Sequence, residues 1–186
     1  MNETINTILK RRSTRSYKRQ QISEGDLNQL IEAGKYAPSA ANEQPWHFTV
    51  VQNKDMLNKL NRACKDAIAK SPNPQMAKMA ASPDFSIFYN APTVIIISGD
   101  TKTIAPQIDC ALAMENMFLA AESLNIGACW IHAIFNLLLS EGGKQLKDEL
   151  QIPKDFNVCA AAGFGYKAGE TPAAAERKQG TVTILK

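Results

Sequence analysis

Hydrophobic positions along the chain repeat first at helical spacing. Ile5, Ile8 and Leu9 share one face of a short segment that Thr4 is placed to cap, and the segment runs into a basic stretch at residues 10–19. A second helix is announced by Ser23 as cap with Asp26 three residues on; Leu27, Leu30 and Ile31 form its stripe, and Gly34 and Pro38 close it. Residues 46–51 alternate and are rich in β-branched types, which predicts a strand. Asp55 opens a further helix carrying Met56, Leu57, Leu60, Cys64 and Ile68, and the SPNP at residues 71–74 ends it. PTVIIIS, residues 92–98, is a strand apolar on both faces, so helices must cover it on each side. Residues 107–124 read as a helix apolar nearly all round, broken mainly by Asp109, Glu115, Asn116 and Glu122; such a helix belongs in a core or an interface. Gly127 stops it, ACWI at 128–131 is a short buried strand, and a helix around 143–150 precedes an apolar strand at 157–165. TVTIL, residues 181–185, is strand-like but alone behind a polar tail. A lone strand is marginal unless it pairs, and a second copy of the chain offers it an edge. The pattern therefore predicts an α+β class: one domain over residues 1–186, a mixed central β-sheet surrounded by helices, in an intertwined homodimer with the C-terminal strand exchanged.

Composition narrows this reading without changing it. With 186 residues and 45% hydrophobic content the chain can bury one sizeable core. The net charge is only +3, so the basic stretch is offset elsewhere, unlike a chain built to coat nucleic acid. Residues 1–20 lack the apolar run of a signal peptide and APTVIII is too short to cross a bilayer, so a cytoplasmic location is expected. Cys64, Cys110, Cys129 and Cys159 are scattered in apolar surroundings and read as buried free thiols. His47 and His132 are too few for most metal clusters, and no metal is expected.

Several kinds of chemistry lack their motifs. There is no G-x-S-x-G, no H-E-x-x-H and no C-x-x-C. AAGFGYKAG, residues 161–169, lacks both the glycine spacing and the following helix of a dinucleotide fingerprint. Two segments remain: KRRSTRSYKR at residues 10–19, with six basic residues in ten, and PSAANEQPWHF at residues 38–48. Taken alone, the first is a surface that attracts polyanions and the second a loop joining a helix to a strand. Trp46 and Phe48 read as core packing, Met114 and Met117 as core or interface filler, and His132 as a structural histidine. A nucleic-acid module built on residues 10–19 stays open, although Tyr17 is the only aromatic among them.

RRSTR followed by APSAANEQPWHF resembles the flavin-dependent nitroreductase family, whose signatures are an Arg-x-Ser-x-Arg/Lys segment and, some two dozen residues on, a Pro-Ser-x-x-Asn-x-Gln-Pro-Trp segment. The similarity continues through the apolar helix, NIGACWI and GYKAGETPAAAERK. The resemblance implies a nitroreductase-like homodimer holding FMN at the subunit interface, with NAD(P)H as electron donor. It places Arg11 and Ser13 at the FMN phosphate, with Arg12 helping through its backbone or charge, and Arg15 at the flavin N1 and O2 edge. An arginine fork suits phosphate, and a permanent charge at the pyrimidine edge stabilises the reduced ring. Arg177 and Lys178 align with a second phosphate clamp. Across the dimer, Pro38, Ser39 and Ala40 would lie along the flavin while Asn42 and Gln44 supply amide hydrogen bonds. Ile131, His132 and Ala133 would present backbone groups to N5 and O4, and Asn73 would reach the pyrimidine edge. The implied activity is an FMN-dependent oxidoreductase passing electrons from NAD(P)H to nitroaromatics, quinones or flavins by a ping-pong cycle, with no side chain acting as acid or base. A non-enzymatic flavin-binding or redox-sensing protein, and a relative with a different FMN chemistry, are the alternatives.

Overall fold

In the computed structural model, which describes residues 1–186, four strands pair in one sheet. They are β1 (Trp46–Val51), β2 (Thr93–Asp100), β3 (Ile126–Trp130) and β4 (Phe156–Tyr166), in the order β1-β2-β4-β3. β2 shows why the sheet lies between helices. Its side chains alternate across the strand, Val94 and Ile96 entering one core and Ile95 and Ile97 the other, so both faces must be covered. The cover on one side comes from α2 (Glu24–Lys35) and α5 (Pro106–Ser123), through Leu30, Met114, Met117 and Ala121. On the other side stand α3 (Lys54–Ala69), α4 (Pro74–Ala81), α6 (Ala133–Leu138) and α7 (Lys144–Glu149), through Leu60, Cys64, Ala80, Ile134 and Leu146. The first helix, α1 (Glu3–Lys10), buries no residue fully.

The sheet expected to be mixed is antiparallel in all three of its ladders, and its one parallel pairing is the single bridge between Ser13 and Ala128. Residues 181–185 form no strand within their own chain: residues 169–186 are exposed and regular structure ends before them. Local signals also shift by a residue or two. Asn2, not Thr4, caps α1 by accepting the Ile5 N–H at 3.0 Å, and Asn53 caps α3, which opens at Lys54. Ser23 caps α2 as read, accepting from the Asp26 N–H at 3.0 Å. Two helices escaped the sequence pattern: α4, capped by Asn73 with Pro74 at its first position, and α6, six residues without a side-chain cap. All four cysteines are free and buried, and burial pushes the Cys64 thiol up to about 12. No helix is long and apolar enough to cross a membrane.

Candidate functional site

The basic residues leave α1 as extended chain and are stitched first to β3 and then to the end of β4. Thr14 N–H donates to the Ala128 carbonyl at 2.9 Å, and Tyr17 pairs antiparallel with Lys167. Lys18 N–H then donates to the Tyr166 carbonyl at 2.9 Å, and Ala168 N–H to that of Ser16 at 3.0 Å. Gly127 permits the close approach, since a Cβ there would stand 2.6 Å from Thr14 Cγ2. Extended pairing turns alternate residues to opposite sides. Thr14 faces Gly127, while Ser13, Arg15 and Tyr17 all approach Cys129.

That alternation builds an electropositive wall. Burial raises the Cys129 thiol and the Tyr17 hydroxyl above their ordinary pKa values, so both stay protonated beside the Arg15 guanidinium. Arg15 lies 5.7 Å from the centroid of the Tyr89 ring, and its pKa is raised first by a side-chain hydrogen bond with Tyr89 and next by Cys129. The Tyr17 hydroxyl donates to the Thr14 carbonyl at 2.6 Å and so fixes the turn of the segment. Arg11 meets Glu115 only at 3.9 Å, with both side chains partly exposed; such a pair contributes little and leaves the guanidinium free for an anion. Arg12 turns back and donates to the Arg11 carbonyl. A cavity of about 240 Å³ opens here, with residues 13–16 on one wall and residues 167–172 on the other. Its far wall is held by the Lys167–Glu122 ion pair, 2.8 Å long and nearly buried.

The second segment is a loop under backbone strain. Ala41, Asn42 and Gln44 adopt φ values of 49°, 56° and 47°, in the left-handed region that non-glycine residues rarely occupy. Ala40 N–H is shared between the two carboxylate oxygens of the buried Asp109, at 3.3 Å each. Gln44 N–H donates to Ser39 Oγ at 3.0 Å, and its side-chain amide donates to Asn42 Oδ1 at 3.2 Å. Pro38 sits between these anchors and the end of α2, which brings in the loop. No hydrogen bond or ion pair joins residues 38–44 to residues 11–15 in one chain, so the two segments remain separate walls.

The other expected positions fare differently. Ile131 is buried and its N–H is committed to the Ala161 carbonyl at 2.8 Å, whereas the N–H of His132 has no partner in the chain. His132 is exposed and stacks on Phe135 at 5.1 Å, and Trp130 stacks on the same ring at 6.0 Å; Ala133 opens α6 behind them. Asn73 spends its Oδ1 on capping α4, accepting from Gln75 and Met76. Arg177 and Lys178 are exposed in the tail and are not brought to Arg11 by their own chain. No local signal in the sequence points to Tyr89, and Asp109 stands there only as a break in an apolar helix. That lone acid on an apolar face was the available clue. A larger groove, about 720 Å³, lies elsewhere, along the open edge of β1 and residues 149–151.

The nitroreductase family model matches residues 8–166. A nitroreductase of Bacteroides fragilis, solved with bound FMN, superposes with a TM-score of 0.92 at 40% identity and covers 100% of both chains. A protein of Archaeoglobus fulgidus, named provisionally as an NADH dehydrogenase/NAD(P)H nitroreductase, is 33% identical over 91% of this chain and 88% of its own. The NAD(P)H-dependent FMN reductase of Bacillus subtilis is 28% identical over 90% of this chain and 67% of its own.

Proposed function

The chain belongs to the nitroreductase family, and on that premise we propose that it is an FMN-dependent oxidoreductase moving electrons from NAD(P)H to a nitroaromatic, quinone or flavin acceptor in a ping-pong cycle. Bound FMN supplies the redox chemistry; the protein supplies binding, orientation and charge. The observation that carries the reading is the stitched segment itself, which sets Ser13 and Arg15 on the wall of one cavity and Arg11 two residues before it, with no strong ion pair to occupy the guanidinium groups.

The donor set fits an FMN phosphate and pyrimidine edge. Arg11 and Ser13 take the phosphate, by charge and by hydroxyl. Arg15, on the neutral face made by Tyr17 and Cys129, holds a permanent positive charge for the pyrimidine edge, where it favours the reduced ring. The free N–H of His132 is the backbone donor available to the ring. A cavity of about 240 Å³ is smaller than the ~300–1,000 Å³ of usual ligand pockets, which fits a site completed by a second copy. Residues 38–44 of that copy supply the missing wall, with Ala40 against the ring and Asn42 and Gln44 as amide donors.

The same dimer accounts for the exposed apolar surface. Ile8, Leu9, Ile108 and Leu112 are 45%, 55%, 65% and 41% exposed on α1 and α5, more apolar surface than a monomer leaves in contact with water without reason. Val182, Ile184 and Leu185 are exposed in a tail that alternates like a strand, and β1 offers an unpaired edge beside a groove. Exchange of residues 181–185 onto β1 of a second copy satisfies both.

The test is the visible spectrum of the purified protein before and after anaerobic NADH or NADPH. Bleaching flavin bands are expected. Arg11→Ala should lose FMN on dialysis, whereas Arg15→Ala should keep it and reduce slowly. A yellow protein that neither donor bleaches would make this a flavin-binding or sensing protein, and a protein colourless after FMN is supplied would end the flavin reading.

A further inference from the structure

Tyr89 belongs to none of the motifs that point to the cofactor, yet its backbone, its ring and its neighbour converge. Tyr89 and Asn90 have φ values of 52° and 57°, two consecutive non-glycine residues in the left-handed region. A bulky aromatic there is an outlier that persists only where its surroundings over-determine it, and such residues gather at functional sites. The surroundings do so here. Tyr89 N–H donates to the Ser86 carbonyl at 3.1 Å, Asn90 N–H to Ser86 Oγ at 3.1 Å, and Ala91 N–H to the Phe88 carbonyl at 2.9 Å. Phe88 and Ala91 are buried on either side, and Ala91 packs so closely on β4 that a Cβ at Gly163 would stand 2.8 Å from its own. The turn therefore has little freedom, and it aims the half-buried Tyr89 ring at Arg15.

Arg15 needs such a guide. The side chains that influence it are Tyr89, Cys129 and Tyr17; no carboxylate is among them, and it forms no ion pair. A guanidinium on a flexible stem, without an acid to fix it, spreads over many rotamers and spreads its field with it. The Tyr89 ring, 5.7 Å from the guanidinium carbon and carried on this constrained turn, is a rigid surface that narrows this choice.

Resting on the assignment of Arg15 to the flavin edge, we propose that Tyr89 is a positioning residue, whose ring holds the Arg15 guanidinium against the pyrimidine edge of bound FMN and so helps set how strongly the reduced cofactor is stabilised. Electrostatic stabilisation depends on a charge being placed before it is needed, so a loosened arginine stabilises less although its charge is unchanged.

The test is the two-electron midpoint potential of the FMN-loaded protein, read together with FMN retention and the anaerobic rate of bleaching by NAD(P)H. Tyr89→Leu should retain FMN, lower the potential and slow bleaching about threefold to tenfold, the range of a single cation–π contact. For each tenfold preference lost, the potential falls by about 30 mV. Tyr89→Phe keeps the ring but loses the hydroxyl that bonds the guanidinium, and should shift the potential in the same direction as Tyr89→Leu but by less. Tyr89→Asn, whose side chain suits a left-handed backbone, should repeat the Leu result if the Leu variant folds poorly. In an Arg15→Ala background, Tyr89→Leu should change nothing further. An unchanged potential in both Tyr89→Leu and Tyr89→Asn, or an equal shift with and without Arg15, overturns the proposal while leaving the flavin site intact. If Arg15→Ala itself leaves the potential unchanged, the assignment of Arg15 fails first, and Tyr89 loses its role with it.

Discussion

At the scale of single residues, the site depends on an atom that is missing. Gly127 lets the Thr14 side chain lie against β3, and the hydrogen bond from Thr14 N–H to the Ala128 carbonyl follows from that approach. Gly127→Ala puts a Cβ 2.6 Å from Thr14, and the segment holding Ser13 and Arg15 has to lift. The expected cost is ~1–3 kcal/mol of stability, as for overpacking in a core, together with weakened FMN binding. Gly142→Ala is the control, because its nearest neighbour, Ser140 Oγ, is 3.8 Å away. Urea unfolding and FMN titration of both variants check this. Equal behaviour of the two would mean that the close approach at Gly127 does not hold the segment.

At the scale of elements, α5 links the core to the strained loop. Its inner face is core, with Met114 and Met117 fully buried, and near its start the buried Asp109 accepts the Ala40 N–H from residues 38–44. Because Ala41, Asn42 and Gln44 all hold positive φ, the loop has no conformational preference of its own to keep it there. Asp109→Ala leaves the Ala40 N–H unpaired in partly buried surroundings, which should cost about 1–3 kcal/mol. It should also speed proteolytic cleavage within residues 38–44. Asp109→Asn retains an acceptor oxygen and should cost less. If limited proteolysis cuts the loop no faster in the Ala variant, the loop is anchored by Ser39 and its own side-chain amides rather than by α5.

At the scale of the whole molecule, one chain leaves three things unfinished: a shallow cavity at residues 13–16, an open β1 edge and a strand-like tail with nothing to pair with. In the proposed dimer one second copy completes all three, which would couple assembly to cofactor binding. Deleting residues 181–186 removes the exposed Val182, Ile184 and Leu185, and sedimentation should then show a weaker dimer that loses FMN on dilution. A truncated protein that stays dimeric and yellow at the same dilution would show that the apolar faces of α1 and α5 suffice.

Much of this was written locally. Periodicity marked α2, α3, α5 and all four strands, because apolar positions at helical spacing or in a continuous β-branched run reflect burial whatever lies across the core. The two signature segments singled out the residues proposed for the phosphate and those of the strained loop, by their types and order. Other features were not legible because their causes lie far apart in the chain. α6 is too short to display a period, and Asn73 became a helix cap because Pro74 started α4 beside it. Only the tertiary structure brought Tyr89 to Arg15, Asp109 to Ala40 and Gly127 to Thr14, pairs separated by 69 to 113 positions in the sequence. Residue pattern determines which faces are buried; which side chain meets which across those faces is set by how the sheet and helices pack, and no local spacing encodes that.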